Sequence, residues 1–335
     1  MAHSPISAQQ LSTVVGLACR APSVHNSQPW HWIFEEEGVL RLFLAEHRVP
    51  HATDRTGRES VISCGAALDH LRVAAAAAGW QAEIARFPNP NDLTHLATVE
   101  FTPQDFVTDA HRGRADAILN RRTDRLPFHP PQGWAVFEPI LRSTIDPNKA
   151  MLYVLSDAVR PQLAEASRLT EAMRRYDTSY QAELSWWTAP FEVSEGVPHS
   201  ALISADDRDR VDIARSFPGG DRHSRPGQES DRSVIAVLCT DGDSRREALG
   251  CGEVLSDVLL EATMAGLATC TLSHLTELDA SRDIIRTLVG GPGDPQLLIR
   301  IGTIAPLSEP PPPTPRRPVA EVLEIRSGVP QTKED

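Results

Sequence analysis

The sequence lacks the marks of several large functional classes. Lysine and arginine number 33 against 45 aspartates and glutamates, a formal net charge of −12. That balance excludes a whole-surface attraction to nucleic acid or an anionic membrane, but not a local basic pocket for a small anion. No apolar run approaches the roughly 18 residues of a membrane span. The cysteines (Cys19, Cys64, Cys239, Cys251 and Cys270) are odd in number and form no C-x-x-C. With no H-E-x-x-H and no close Cys/His pairing, no zinc site is expected, and reduced core thiols are the plain expectation. No G-x-G-x-x-G opens a helix after a strand, and there is no P-loop and no G-x-S-x-G elbow, so those nucleotide and hydrolase sites are unsupported. The apolar stretch LSTVVGLAC has no basic leader. Ser7 with Gln10 reads instead as a capping box with Ile6 and Leu11 at the staple positions. These absences together predict a soluble, cytoplasmic protein.

What is present begins with a repeat. RESVISCGAALDHLRVAAAAAG (58–79) aligns without gaps on RREALGCGEVLSDVLLEATMAG (245–266), with seven identities, among them Cys64/Cys251, Gly65/Gly252 and Gly79/Gly266. Apolar residues recur at three- and four-residue spacing, so each copy reads as a helix closed by a C-terminal glycine. Gly65 and Gly252 fall mid-helix, at a cost of about 1 kcal/mol against alanine. Close approach of another helix is the usual compensation. Two copies of one small-residue helix predict packing across a pseudo-twofold axis; two unrelated core helices of similar composition is the alternative.

The remaining pattern fits α+β halves over 1–108 and 109–335. The first reads as a helix over 8–20, strands near 31–34 and 39–44, the repeat helix, and strands near 81–87 and 95–101. The second reads as helices over 111–121, 134–144 and 161–184, strands at 151–155, 233–240 and 296–304, and its own repeat helix. The polar stretch at about 186–232 is too long for an ordinary connection and reads as a lid or insertion. PPPPTPRRPVAEVL reads as an extended arm ending in a short helix.

Three segments carry candidate chemistry. In RRTDR, Arg121, Thr123 and Arg125 alternate, so an extended segment would turn all three one way, a pattern suited to phosphate. A solvated basic patch with Asp124 as partner is the alternative. Arg316 and Arg317 lie between prolines, so a stiff arm would carry them to a distant site or simply form a surface tail. In APSVHNSQPW, the side chains of Ser23, His25, Asn26, Ser27 and Gln28 suit a polyol chain and the polar edge of a heterocycle; turn chemistry is the alternative.

These segments together resemble the FMN-dependent nitroreductase fold. APSVHNSQPW resembles its A-P-S-x-x-N-x-Q-P-W loop, RRTDR its R-x-S-x-[RK] phosphate motif, LEATMAGLATC (260–270) its A-x-x-x-G-L-x-T helix end, and PRRPVAEVL (315–323) its basic arm. The doubled chain is similar to the Acg-type subgroup from actinobacteria. In the usual family two subunits share each FMN site. Here the loop occurs only in the first half and the arginine motif and arm only in the second, so the resemblance implies one chain mimicking a homodimer with one FMN.

Carried over, Arg121, Thr123 and Arg316, with Arg317 beside it, face the flavin phosphate and ribityl region, and Arg125 the N1–C2 carbonyl. The loop residues Ser23, His25, Asn26, Ser27 and Gln28 bind from the opposite half. Backbone around Leu272, Ser273 and His274 approaches N5 and O4. Thr314 stands where the family usually has lysine, which weakens the expected phosphate neutralisation.

The resemblance implies an oxidoreductase in which NAD(P)H reduces FMN, and FMN reduces a nitroaromatic, quinone or related acceptor, with no catalytic side chain required. The internal pairing favours a monomer. The rival expectation is a catalytically silent flavin holder, acting in flavin storage or dormancy, whose 186–232 stretch caps the flavin with Trp186, Trp187 and Phe191 as its apolar seal.

Overall fold

The computed structural model describes residues 5–35, 38–189, 194–220, 230–304 and 312–326. Ser7 caps α1 (Ala8–Ala18) through the expected reciprocal box with Gln10, and Ile6 and Leu11 are buried beneath it. The chain then forms β1 (Trp30–Glu35), β2 (Val39–Leu44), α2 (Arg58–Ala77), β3 (Trp80–Arg86) and β4 (His95–Pro103). After α3 (Asp109–Asn120) and α4 (Trp134–Thr144) come β5 (Met151–Leu155), α5 (Arg160–Arg174) and α6 (Thr178–Trp187). Next are β6 (Val234–Thr240), α7 (Arg245–Met264), β7 (Ala268–Leu272), α8 (Asp279–Val289) and β8 (Asp294–Gly302). The single helix expected over 161–184 is two helices, because the Asp177 carboxylate accepts the Tyr180 N–H at 3.1 Å and starts α6 afresh.

The two sheets repeat one plan. The first runs β1-β2-β4-β3 and the second β5-β6-β8-β7, each antiparallel throughout, with the repeat helix leaving the second strand and entering the third. The match joins periodicity to topology: α2 and α7 occupy the same place in both halves. The arm adds what its short polar pattern did not show. After α9 (Val319–Val322) it forms β9 (Leu323–Arg326), which pairs in parallel with β1 at the edge of the first sheet.

The two repeat helices are buried along most of their length and pack on one another. At their crossing the mid-helix glycines meet. A Cβ on Gly65 would lie 2.1 Å from the Leu249 carbonyl oxygen, and one on Gly252 would lie 2.0 Å from that of Ile62. Ile62 and Leu249 are themselves equivalent positions of the repeat, so the contact is reciprocal, as a pseudo-twofold axis requires. One turn on, another equivalent pair touches: the Ser256 hydroxyl donates to Asp69 at 2.6 Å. That leaves Ser256 to accept from Nδ1–H of His70 at 2.8 Å. Burial, and then Arg121, push His70 down to about 3, so it sits neutral in the interface. Arg114 of α3 pairs with Asp257 and Glu261 and clamps the end of α7.

No helix among the described residues is long and apolar enough to cross a membrane. The five cysteines are buried and unbridged.

Gly65→Ala and Gly252→Ala are expected to destabilise the chain although alanine is the better helix former. The added methyl meets backbone rather than a yielding side chain, so the loss exceeds the roughly 1–3 kcal/mol of ordinary overpacking. Urea unfolding checks this. Gly113→Ala is the control, because an added Cβ there meets nothing within 4 Å; it should be neutral or stabilising.

Candidate functional site

The APSVHNSQPW loop leaves α1 and enters β1 through a short 3-10 turn, Val24–Asn26. Three of its side-chain-bearing residues take left-handed backbone: His25 (φ 49), Asn26 (φ 55) and Gln28 (φ 51). Each such residue costs on the order of 1–3 kcal/mol and persists only where its surroundings over-determine it. They do here. The Ser23 hydroxyl accepts the Gln28 N–H at 3.0 Å, and Ser63 of α2 accepts the Val24 N–H at 3.1 Å. The Asn26 amide donates to the carbonyls of Gly196 at 2.9 Å and Pro315 at 3.1 Å. Gln28 donates to the Ser194 carbonyl at 2.9 Å and accepts the Arg317 N–H at 2.9 Å. Arg48 donates to the Ser27 carbonyl at 2.6 Å. The polar crowding therefore has a structural use: it ties the loop to both the 194–220 stretch and the C-terminal arm.

RRTDR follows α3 and is pinned to the second sheet. Thr123 bridges Thr269 of β7, and the Asp124 N–H donates to the Thr269 carbonyl at 2.9 Å. The arm crosses to the end of α1, where the Arg316 guanidinium donates to the carbonyls of Cys19, Arg20 and Ala21 at 3.0, 3.1 and 3.2 Å. Arg121 donates to the same Arg20 carbonyl at 3.1 Å. The carbonyls of the turn that follows α1, residues 19–21, thus position both arginines.

A cavity of about 390 Å³ opens where these pieces meet, within the range of small-molecule sites. Ser23 and Asn26 wall it from the first half; Arg121, Thr123, Arg125 and Arg316 wall it from the second. Arg20 also lines it. Nothing in the spacing of this residue marks it in the sequence. A recess of about 100 Å³ shares Ser23, Thr123 and Arg125 with the cavity and is lined further by Glu59, Ile62, Leu255 and Ser273.

Among the described residues, Arg20, Arg121 and Arg316 have no carboxylate within ion-pair distance; Arg121 and Arg316 bond only neutral carbonyls. Burial comes first in lowering all three; after it Arg122 lowers Arg20, Arg20 lowers Arg121 to about 10, and Arg121 and Arg20 lower Arg316 to about 9. The Nε donors of Arg20 and Arg121 are buried without an acceptor. Three crowded guanidinium groups without a counter-charge are costly, and a bound anion is the natural compensation.

Six expected site residues line neither space. Ser27 is buried with its hydroxyl unpartnered, Gln28 is buried and bonded to Asn26, Ser194 and Arg317, and the Arg317 side chain turns to Glu321. Leu272 packs in the core of the second half. His25 is buried with both ring nitrogens unpartnered; burial, then Arg215 and Arg125, hold it well below the usual histidine range. It meets Phe217 edge-on, with ring centroids 6.1 Å apart. His274 bonds Ser167 at 2.9 Å and is pushed down to about 3 by burial and then Arg215. The expected aromatic seal is also placed elsewhere: Trp187 is buried, Trp186 is exposed, and neither lines the cavity or the recess, while Phe191 lies outside the described residues. Phe217 is the aromatic residue beside the site, with the Arg125 guanidinium 5.2 Å over its ring.

The buried histidine makes a pH prediction. His274 stays neutral in the fold down to about pH 3, whereas an unfolded histidine protonates near 6.5. The unfolded state therefore binds the extra proton between these values, and His274 lowers stability progressively as pH falls below 6.5. His274→Gln removes this contribution. Urea midpoints measured from pH 7 to pH 4 should fall less steeply in the variant, by up to about 1.4 kcal/mol per pH unit.

No protein-family profile matches the chain. Individual relatives do. A Mycobacterium tuberculosis protein, acg, assigned by name to the NAD(P)H nitroreductases, is 54% identical over 328 residues, 98% of this chain and 99% of the relative. A second M. tuberculosis protein, uncharacterised by name, is 55% identical over 320 residues, 94% of this chain and 93% of its own. A crystal structure from Anabaena variabilis, assigned by name to the nitroreductases, superposes with a TM-score of 0.51 at 8% identity over 88% of each chain, a likeness of fold. With the acg relative matched end to end, the chain belongs to the nitroreductase family, in its acg-type subgroup.

Proposed function

We propose that the protein is an FMN-binding oxidoreductase, taking electrons from NAD(P)H and passing them to a nitroaromatic or quinone-type acceptor, with one FMN per chain. The observation that carries this reading is the Arg20, Arg121 and Arg316 cluster without a counter-charge, lining a cavity that shares Ser23, Thr123 and Arg125 with a smaller recess. The relatives' names support the class of reaction. The chain is divided at residue 108 in this reading, and each half contributes one wall of the site.

The residues present fit the cofactor. Arg20, Arg121 and Arg316 would hold the phosphate, and Thr123, Ser23 and Asn26 supply neutral donors and acceptors for the ribityl chain. Arg125 and Ser273 border the recess that would take the ring. When bound, FMN supplies the redox chemistry, accepting hydride from a nicotinamide and returning electrons to the acceptor. The protein's part is to bind, to orient and to exclude water. Ile62 of α2 and Leu255 of α7 give the recess apolar wall from both halves. Arg125 places positive charge at that wall, which favours an anionic partner over a neutral one. His25, Gln28 and Arg317 act as positioning residues through the loop and arm.

One observation favours a second reading, a flavin-sequestering protein. The 194–220 stretch is bonded to the loop through Gly196 and Ser194, and its Phe217 packs on His25 and Arg125. A stretch held shut in this way would bar nicotinamide from the ring.

Two measurements separate the outcomes. Arg316→Gln removes one charge-assisted contact of about 1.5–3 kcal/mol, so its FMN dissociation constant should rise about ten- to a hundredfold. An unchanged constant would remove the arm from the site. Anaerobic mixing of FMN-loaded protein with NADPH or NADH should bleach the flavin. If only Phe217→Ala bleaches, the sequestering reading holds; if neither protein bleaches with either donor, the oxidoreductase reading fails.

A further inference from the structure

A third cavity, of about 380 Å³, lies between α5, α6 and the 208–218 stretch. Four arginines line it: Arg174 and Arg175 at the end of α5, and Arg208 and Arg215 opposite. Phe217 belongs to its wall and also packs against His25 and Arg125, so the ring stands between this cavity and the proposed flavin site.

The arginines are not equally committed. Arg215 is satisfied: it pairs with Glu277 and donates to the Tyr180 hydroxyl at 2.7 Å and the Ser273 hydroxyl at 3.1 Å. Arg174 is only 5% exposed and stacks 4.6 Å over the Tyr180 ring. It donates to Asp177 and the Ala52 carbonyl, and its Nη2 lies 3.6 Å from Glu277, yet its Nε and Nη2 make no hydrogen bond. Among the described residues Arg208 makes one bond, to the Phe217 carbonyl at 3.1 Å, and its Nε is buried without an acceptor. Among the described residues Arg175 has no ion pair. The one carboxylate in the lining, Glu171, is taken up by the Ser216 N–H at 2.9 Å. Even with Asp177 and Glu277 counted, the wall keeps an excess of positive charge and of guanidinium donors.

We propose that this cavity binds the phosphate group of a small organic phosphate. A carboxylate offers two oxygens in one plane and is saturated by a single guanidinium fork. Here Arg174, Arg175 and Arg208 approach from two separate elements. Only an oxyanion with acceptors in several directions and close to two negative charges matches them. The volume suits a molecule larger than the anion alone. Two sources share this chemistry: a free phosphorylated metabolite, or the phosphates of a nucleotide whose remainder passes Phe217 toward the recess, where Arg215 and Ser273 join the two spaces.

Calorimetric titration of the full chain with inorganic pyrophosphate, with 2′,5′-ADP and with adenosine tests this. The wild type should bind both phosphate probes saturably and adenosine at least tenfold more weakly. The Arg175→Gln/Arg208→Gln double variant should bind them at least tenfold more weakly than wild type, with an unchanged melting temperature, because neither residue is in an ion pair among the described residues. Arg20→Gln, which alters the other cavity, should weaken only the separate binding that Arg20, Arg121 and Arg316 offer a phosphate and leave the affinity of this site unchanged. 2′,5′-ADP binding tenfold tighter than pyrophosphate identifies a nucleotide; equal affinities identify the phosphate alone. No saturable binding, equal binding of adenosine, full retention in the double variant, or loss of this site's affinity in Arg20→Gln overturns the proposal. None of these readings depends on bound FMN, so a failed flavin site would not be mistaken for a failed phosphate site.

Discussion

The contact on which the rest of the structure depends is the crossing of α2 and α7 at Gly65 and Gly252. A side chain at either position would meet backbone at about 2 Å. The two helices can therefore lie this close only as the sequence stands. That closeness brings the end of α1 and its loop, in the first half, against RRTDR and the arm, in the second. The cavity is a consequence of the crossing: neither half carries both walls.

A second constraint is electrostatic. Arg316 and Arg121 are held by the carbonyls of the turn that follows α1, partners that orient a guanidinium without cancelling its charge. A carboxylate in the same place would have made an ordinary ion pair and closed the site. The fold thus stores repulsion among Arg20, Arg121 and Arg316, which a phosphate would relieve. The strained loop is maintained in the same way. Three left-handed residues are fixed by bonds reaching Ser63, Gly196, Ser194 and the arm, so the site's geometry depends on contacts from three distant segments.

Much of this was legible in the sequence, for identifiable reasons. The repeat was visible because glycine in mid-helix is costly enough to need an explanation, and its two copies kept register. The capping box at Ser7 and the strands 39–44 and 151–155 were local signals that tertiary structure had no reason to override. β9 was hidden because LEIR acquires strand character only by pairing with β1, some 290 residues earlier. The break at 175–177 was hidden because the apolar spacing runs on across Asp177. Arg20 was hidden because its role comes from the partners around it. Of the loop, Ser23 and Asn26 reach the cavity wall, whereas Ser27 is buried away from it and Gln28 ties the loop to Ser194 and the arm; side chains of one type in one short segment do not announce which way each will turn.

The central claim is that a doubled fold keeps a single composite flavin site. Native mass spectrometry of the flavin-free chain titrated with FMN tests it most directly. The account predicts a monomer that takes up one FMN and no second. Two FMN per chain would contradict the division of the loop and the arginine motif between the halves, and none would contradict the site itself.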